Sequence, residues 1–543
     1  MVWLLLACAS DPWDFGSWDQ PAVQIRSPAI GDAVAPGELE VTGVARHVDH
    51  VDVNGVSADL DRWGRFRAVV PASHGLVTLD ATGSRDADAD LAFDRRAVLA
   101  GAFADPDAPV TDAMVLRVNQ PALDALMLSV QGQLDGRDLT RRVLDMNPVF
   151  NQDSFLVTAK AVIDRVHIGG PRIRAIPAAE ALRVEVRVPD LLIQASSWGR
   201  VLGAPFDVGV RVECQELMLA FGFALGAHDG RLSVDVPWVD LNLSGFDFDV
   251  SFLPDLVEEM LLVDAVQGAA EDAAERALVE LLNPALDAAL DGVDLSFSTR
   301  LMGAPLDVDL GFADAWTDAD GLAVVADVRA QLPARLDGPQ SGYLHTPAGA
   351  LPAPSTRSGL SMALSDNLLN NLLFQVWRAG LIDVSLSTDA GTLSPELAAQ
   401  LQAETASVRV RSHLPPVVGS HAGDLLLELG ELEVLLETPG GGLGDALELS
   451  LNLSLPMSPR AEHGALDLGL GEPLLEMMAR DNDWGASAEA TTVLLEDKMP
   501  VETLLAPVHE LAIPLPEPAE GGVERVIVVR DDNGAYTNVH IEL

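Results

Sequence analysis

At 543 residues the chain is too long for one core, and its length suggests three or four domain-sized units. Nearly half of it is hydrophobic, yet Asp and Glu outnumber Lys and Arg by 82 to 34, giving a formal net charge of −48. That balance excludes a binder of the nucleic-acid backbone, which needs a basic footprint, and disfavours docking on anionic lipid head groups. The acids are spread along the chain, so they read as a solubilising surface on a greasy protein. The cysteines, Cys8 and Cys214, supply neither a zinc site nor a disulfide framework.

In chain order, residues 1–8 ("MVWLLLAC") are an apolar run ending in Leu-Leu-Ala-Cys, which resembles a bacterial lipobox with Cys8 as the acylated residue. The run is short and lacks a preceding Lys or Arg, so an accidental apolar start competes with this reading. Residues 9–24 read as a polar tether. Acylation would anchor the protein in a membrane through its N-terminus, at about 0.8 kcal/mol per buried CH₂. The absence of Asp after Cys8 resembles Gram-negative lipoproteins of the outer membrane, facing the periplasm or the outside.

Residues 25–104 form a unit of short alternating runs with turn signals between them, including the hairpin pair Asn54-Gly55. "GELEVTGVA", "HVDVNGV" and "GRFRAVV" resemble the immunoglobulin-like β-sandwich of bacterial surface proteins.

Residues 105–331 have a different texture. "MVLRVNQPALDALMLSV" switches from a strand to a helix, with Asn119 placed to cap and Pro121 in the first turn. Leu123, Leu126, Met127 and Val130 recur at helical spacing. Long β runs follow, such as "LRVEVRV" at 182–188. Residues 254–283 then carry a stripe that includes Met260 and Val263, which predicts a long helix. Residues 332–359 are rich in Pro, Gly and Ser and read as a linker.

Residues 360–543 repeat the pattern. "GLSMALSDNLLNNLLFQVWRAG" is again a strand, a cap at Ser365, and a helix with Leu369, Leu372, Leu373 and Val376 on one face. These follow Leu123, Leu126, Met127 and Val130 at one constant interval, which suggests an internal duplication. "LELSLNLSL" at 447–455 alternates as a half-buried strand.

"GLSMALSDNLLNNLLFQVWRAGLIDVSL", "MVLRVNQPALDAL" and "LAIPLPEP" at 511–518 together resemble the tubular lipid-binding superfamily. Its members include the bactericidal/permeability-increasing, lipopolysaccharide-binding and cholesteryl-ester transfer proteins. The resemblance spans roughly residues 110–543. It implies an α+β fold of two tandem, pseudo-symmetric, highly twisted antiparallel sheets, each wrapped on a long helix, preceded by the β-sandwich. It also implies a phospholipid or other acylated lipid as partner, in a slot lined by Leu123, Leu126, Met127, Val130, Met260, Val263, Leu369, Leu372, Leu373 and Val376. The lipopolysaccharide-binding members' basic tip and the family disulfide have no counterpart here.

No catalytic motif is legible. His509-Glu510 lacks the second histidine of a zinc-protease helix, and Ser420 lacks the glycine two residues before it. The reading is a non-enzymatic lipid-binding or lipid-transfer lipoprotein that needs no cofactor or metal. A structural or adhesive surface protein with side-chain-filled cores is the alternative, and a hydrolase appended to a β-sandwich comes third.

Overall fold

The computed structural model describes residues 21–250, 296–482, 513–514, 525–530 and 535–542, less short internal segments. The fold is mostly β, arranged in several sheets. This corrects the expected α+β architecture: no long helix wrapped by a sheet occurs among the described residues. The longest described helices are α1 (Gln120–Gln133) and α2 (Asp366–Arg378). Residues 254–283, from which the long helix was expected, lie outside the described residues, as do Cys8, Met260, Val263 and most of the "LAIPLPEP" motif.

Residues 22–100 form two sheets packed face to face. One contains Ala22–Ser27, Gly37–Arg46, Asp59–Leu60 and Arg65–Ala72. The other contains Ala33–Val34, His50–Val53, Val56–Ser57, Gly75–Ser84 and Asp90–Ala100. Alternate residues such as Ile25, Val41, Phe66, Val70 and Leu79 fill the space between them. Asn54 and Gly55 both have positive φ, 49° and 75°, as a tight hairpin turn requires. The sandwich docks on the C-terminal part of the chain. Ala97, Leu99, Leu344, Leu414 and Val417 share a small core there. The Ala97 N–H donates to Glu431 Oε1 at 2.6 Å. Glu431 is itself buried and paired with Arg480.

Seven strands make the central sheet, in the order Phe297–Leu301, Ala304–Thr317, Gly321–Gln331, Val110–Asn119, Leu360–Ser365, Tyr536–Glu542 and Arg525–Arg530. Leu360–Ser365 is buried at every position, so it needs partners on both edges and cover on both faces. It pairs antiparallel with Val110–Asn119, and Leu116 lies opposite Met362, its own counterpart in the duplicated pattern. The strand-to-helix junctions, Asn119/Gln120 and Ser365/Asp366, are likewise counterparts. The two opening strands join each other in one shared central sheet, while each half adds a further sheet of its own, from residues 150–250 in the first and 384–482 in the second.

α2 is locked into the core on all sides. The Leu368 N–H donates to Ser365 Oγ at 3.2 Å, which caps the helix as the sequence predicts. Its polar side chains hold loops. Asn367 exchanges hydrogen bonds with the backbone of Thr346, and Asn370 with that of Val418. Asn371 and Gln375 donate to Pro106 O. The described residues of the Pro- and Gly-rich segment at 332–359 therefore act as a strap: Tyr343–His345 pairs with Ala102–Ala104, and Leu344 is buried. Composition read it as a linker because the groups that tie it down lie elsewhere in the chain.

Asn119 does not use its side chain as a cap. Its Nδ2 donates to Ser355 O and Ser358 O, and its Oδ1 accepts from Arg117 Nε. Arg117 also grips Asp318 through two hydrogen bonds of 2.6 and 2.8 Å. The guanidinium holds the Asp318 carboxyl down at about 2, below its ordinary 3.8. A depressed carboxylate contributes stability that is present above the ordinary value and lost as pH falls through about 2. In a ¹³C carboxyl titration, Arg117→Gln should return Asp318 toward 3.8. An unchanged midpoint would assign the depression to its turn hydrogen bonds with Asp320 and Gly321 instead.

Candidate ligand-binding face

The first half carries a long two-stranded arm, Leu182–Val201 and Ala204–His228, flanked by Val157–His167, Arg172–Pro177 and Asp247–Val250. Apolar residues occupy even positions from Leu182 to Val188 and odd positions from Leu191 to Ala195. The phase changes at Asp190, whose φ is 53°. Distal to it, paired residues share a face. Ile163 pairs with Ala195, Val166 with Ile193, Ile193 with Val212, and Ala195 with Val210. The opposite face is polar, with Arg165, Gln194, Arg211 and Asp249 in line across four strands. The apolar face is not sealed: Ile163, Leu191, Ile193, Ala195, Val208, Val210 and Val212 are all half-buried.

Helix α1 runs along the free edge of the Arg172–Pro177 strand and satisfies its backbone. Gln120 Nε2 donates to Ala175 O at 2.8 Å, and the Ile173 N–H donates to Gln131 Oε1 at 3.3 Å. Leu123 packs on Ala175, Leu182 and Val184, with Met127, Ile173, Val186, Phe221 and Phe223 around them. Beside this contact opens a cleft of about 480 Å³ lined by Asp124, Met127, Leu128, Arg172, Ile173, Arg174, Glu185 and Arg187. Leu126 and Leu128 stand out from the helix at 42% and 67% exposure.

The equivalent positions on α2 are closed. Leu369, Leu373 and Val376 are buried at 5%, 1% and 0%, and Leu372 is packed against the same core. Phe374, the counterpart of Leu128, is buried. The long hairpin beyond α2, Asp424–Glu437 with Ala446–Met457, is sealed as well: Leu447, Leu449, Leu451, Leu453 and Leu455 are all buried. Of the residues expected to line a slot, the structure therefore gathers Leu123 and Met127 beside the cleft and leaves Leu126 exposed. It places the four α2 residues in the core. Val130 lies on α1, and its side chain is not among the described ones.

Sequence reasoning missed Leu128, Ile173 and the three arginines. The signal available was the alternation Arg172-Ile173-Arg174, but the same pattern occurs at Arg65-Phe66-Arg67 and Arg409-Val410-Arg411, so it does not single out this strand. Arg172 lies directly opposite Arg187 in the antiparallel register, and Arg174 opposite Glu185. Glu185 is held by Arg183 at 3.0 Å and Arg187 at 3.2 Å. Asp124 accepts from Gln120 Nε2 at 2.6 Å. Among the described residues no group of three or more His, Cys, Asp or Glu is placed to hold a metal, and no helix is long and apolar enough to cross a membrane. The arrangement can shelter apolar matter and meet negative charge.

No family model matches the chain, and no curated protein matches it. Among solved structures it is similar to a crystal structure of lipopolysaccharide binding protein, at 12% identity and a TM-score of 0.42, covering 80% of this chain and 99% of that one. The relationship is a distant structural one.

Proposed function

We propose that this protein binds an elongated apolar molecule of the acyl-chain class on the open side of its first half, and carries out no covalent chemistry on it. One observation supports the reading. Matched elements of the duplicated pattern are sealed in the second half and half-open in the first. Unsealed aliphatic surface gains about 25 cal/mol for each Å² it hides from water, so an acyl chain laid along it is held without specific polar contacts. The sealed second half acts as the scaffold, and α2 ties the strap and the sheet together.

Native mass spectrometry of the full chain, purified without detergent and paired with solvent extraction, tests the proposal. Near-stoichiometric acylated molecules, or uptake of a fluorescent fatty acid by the emptied protein, are expected. A clean apo mass with no uptake would overturn the reading and leave a structural or adhesive protein with side-chain-filled cores.

A further inference from the structure

We infer that the cleft between α1 and the Arg172–Pro177 strand receives the anionic head group of an amphiphile. Its guanidinium groups hold the head, while Met127, Leu128 and Ile173 receive the start of the tail. The inference rests on the apolar-ligand reading above and adds the chemistry of the head group.

Three observations carry it. The first is charge. In a chain with 82 acids and 34 bases, this one cleft brings three arginines around three apolar residues. The second is pairing. The two acids in the cleft are already engaged: Glu185 sits between Arg183 and Arg187, and Asp124 accepts from Gln120. Arg172 and Arg174 make no ion pair among the described residues, and both are exposed at the cleft. The third is register. Arg172 faces Arg187 directly across the antiparallel pair, and like charges in that position repel. An anion between them turns the repulsion into attraction, and a phosphate or carboxylate matches the guanidinium fork. The cleft volume of about 480 Å³ suits a head group and the first part of a tail. The rest of the tail would continue over the exposed Leu128.

The test is calorimetric titration of the full chain with dodecyl phosphate, dodecyl maltoside and inorganic phosphate, each against wild type and the double variant Arg172→Gln/Arg174→Gln. Both arginines are exposed, and an unchanged unfolding midpoint checks that the variant folds. Dodecyl phosphate should bind at least about tenfold tighter than dodecyl maltoside, with an advantage that shrinks as salt rises. The double variant should lose that advantage and keep its maltoside binding. Equal binding of the two amphiphiles to wild type and variant alike would overturn the head-group assignment while the apolar-ligand reading stands. Inorganic phosphate binding as tightly as dodecyl phosphate, with the same arginine dependence, would assign the cleft to a free anion and overturn the amphiphile. Binding of neither amphiphile would overturn the reading on which the inference rests.

Discussion

Arg530→Ala is expected to destabilise the protein by about 3–5 kcal/mol, because it strands a buried carboxylate. Asp366, in the first turn of α2, is 1% exposed and is gripped by both terminal nitrogens of Arg530. Burial pushes the Asp366 carboxyl above its ordinary value, and Arg530 opposes that rise. An acid raised on folding binds more protons when folded than when unfolded, so its contribution to stability falls as pH rises. Removing Arg530 removes the opposing influence. The loss should therefore be largest near neutral pH and shrink toward acidic pH, where a protonated Asp366 costs less. Replacing both partners, Asp366→Leu with Arg530→Met, should recover most of the loss, since an apolar pair of similar bulk leaves no unpaired charge. Denaturant unfolding of the three proteins at two pH values checks this. A loss below about 1 kcal/mol for Arg530→Ala, at the scale of an exposed pair, would mean that the carboxylate reaches water.

The second large effect separates the two helices. Leu373→Ala on α2 should cost about 2–5 kcal/mol, the range for emptying a fully buried leucine site in a packed core. Leu128→Ser on α1 should change stability by no more than about 0.5 kcal/mol, because Leu128 is 67% exposed. The functional readout should reverse this order. Leu128→Ser should weaken uptake of a fluorescent fatty acid several-fold, while Leu373→Ala, assayed where it remains folded, should bind as wild type. Equal losses of stability would mean that α1 is as deeply packed as α2. Unchanged uptake by Leu128→Ser would remove the helix from the binding face.

The duplicated junction was legible because it is a local pattern. A strand ends, a cap or a proline follows, and leucines begin to recur at three and four residues, at Asn119 and again at Ser365. The long arms were legible for the same reason. Even the change of phase at Pro189-Asp190 shows in the spacing of Leu182 to Val188 against Leu191 to Ala195. A similar change occurs in "LLLELGELEVLLE", where Glu431 has a φ of 52° and interrupts the pairing between Leu429 and Leu432. The expected long helix came from a stretch outside the described residues, and the expected wrapping came from resemblance.

Period and turn chemistry are properties of neighbouring residues, so the sequence determined the strands, the two helix starts, the Asn54-Gly55 hairpin and the apolar side of each element. Burial is a property of residues far apart in the chain. Leu126 and Leu372 occupy the same place in the same motif, yet one is exposed and the other is packed. Segments at 105–108, 332–336, 342–346 and 412–418 close over α2, whereas α1 meets chiefly one sheet edge. The arginine cleft has the same origin. Arg172 and Arg187 stand on separate strands and become neighbours only when those strands pair. Tertiary structure alone decided which leucines are core, which remain open to a ligand, and where scattered positive charge converges, because each depends on pairings that no local pattern encodes.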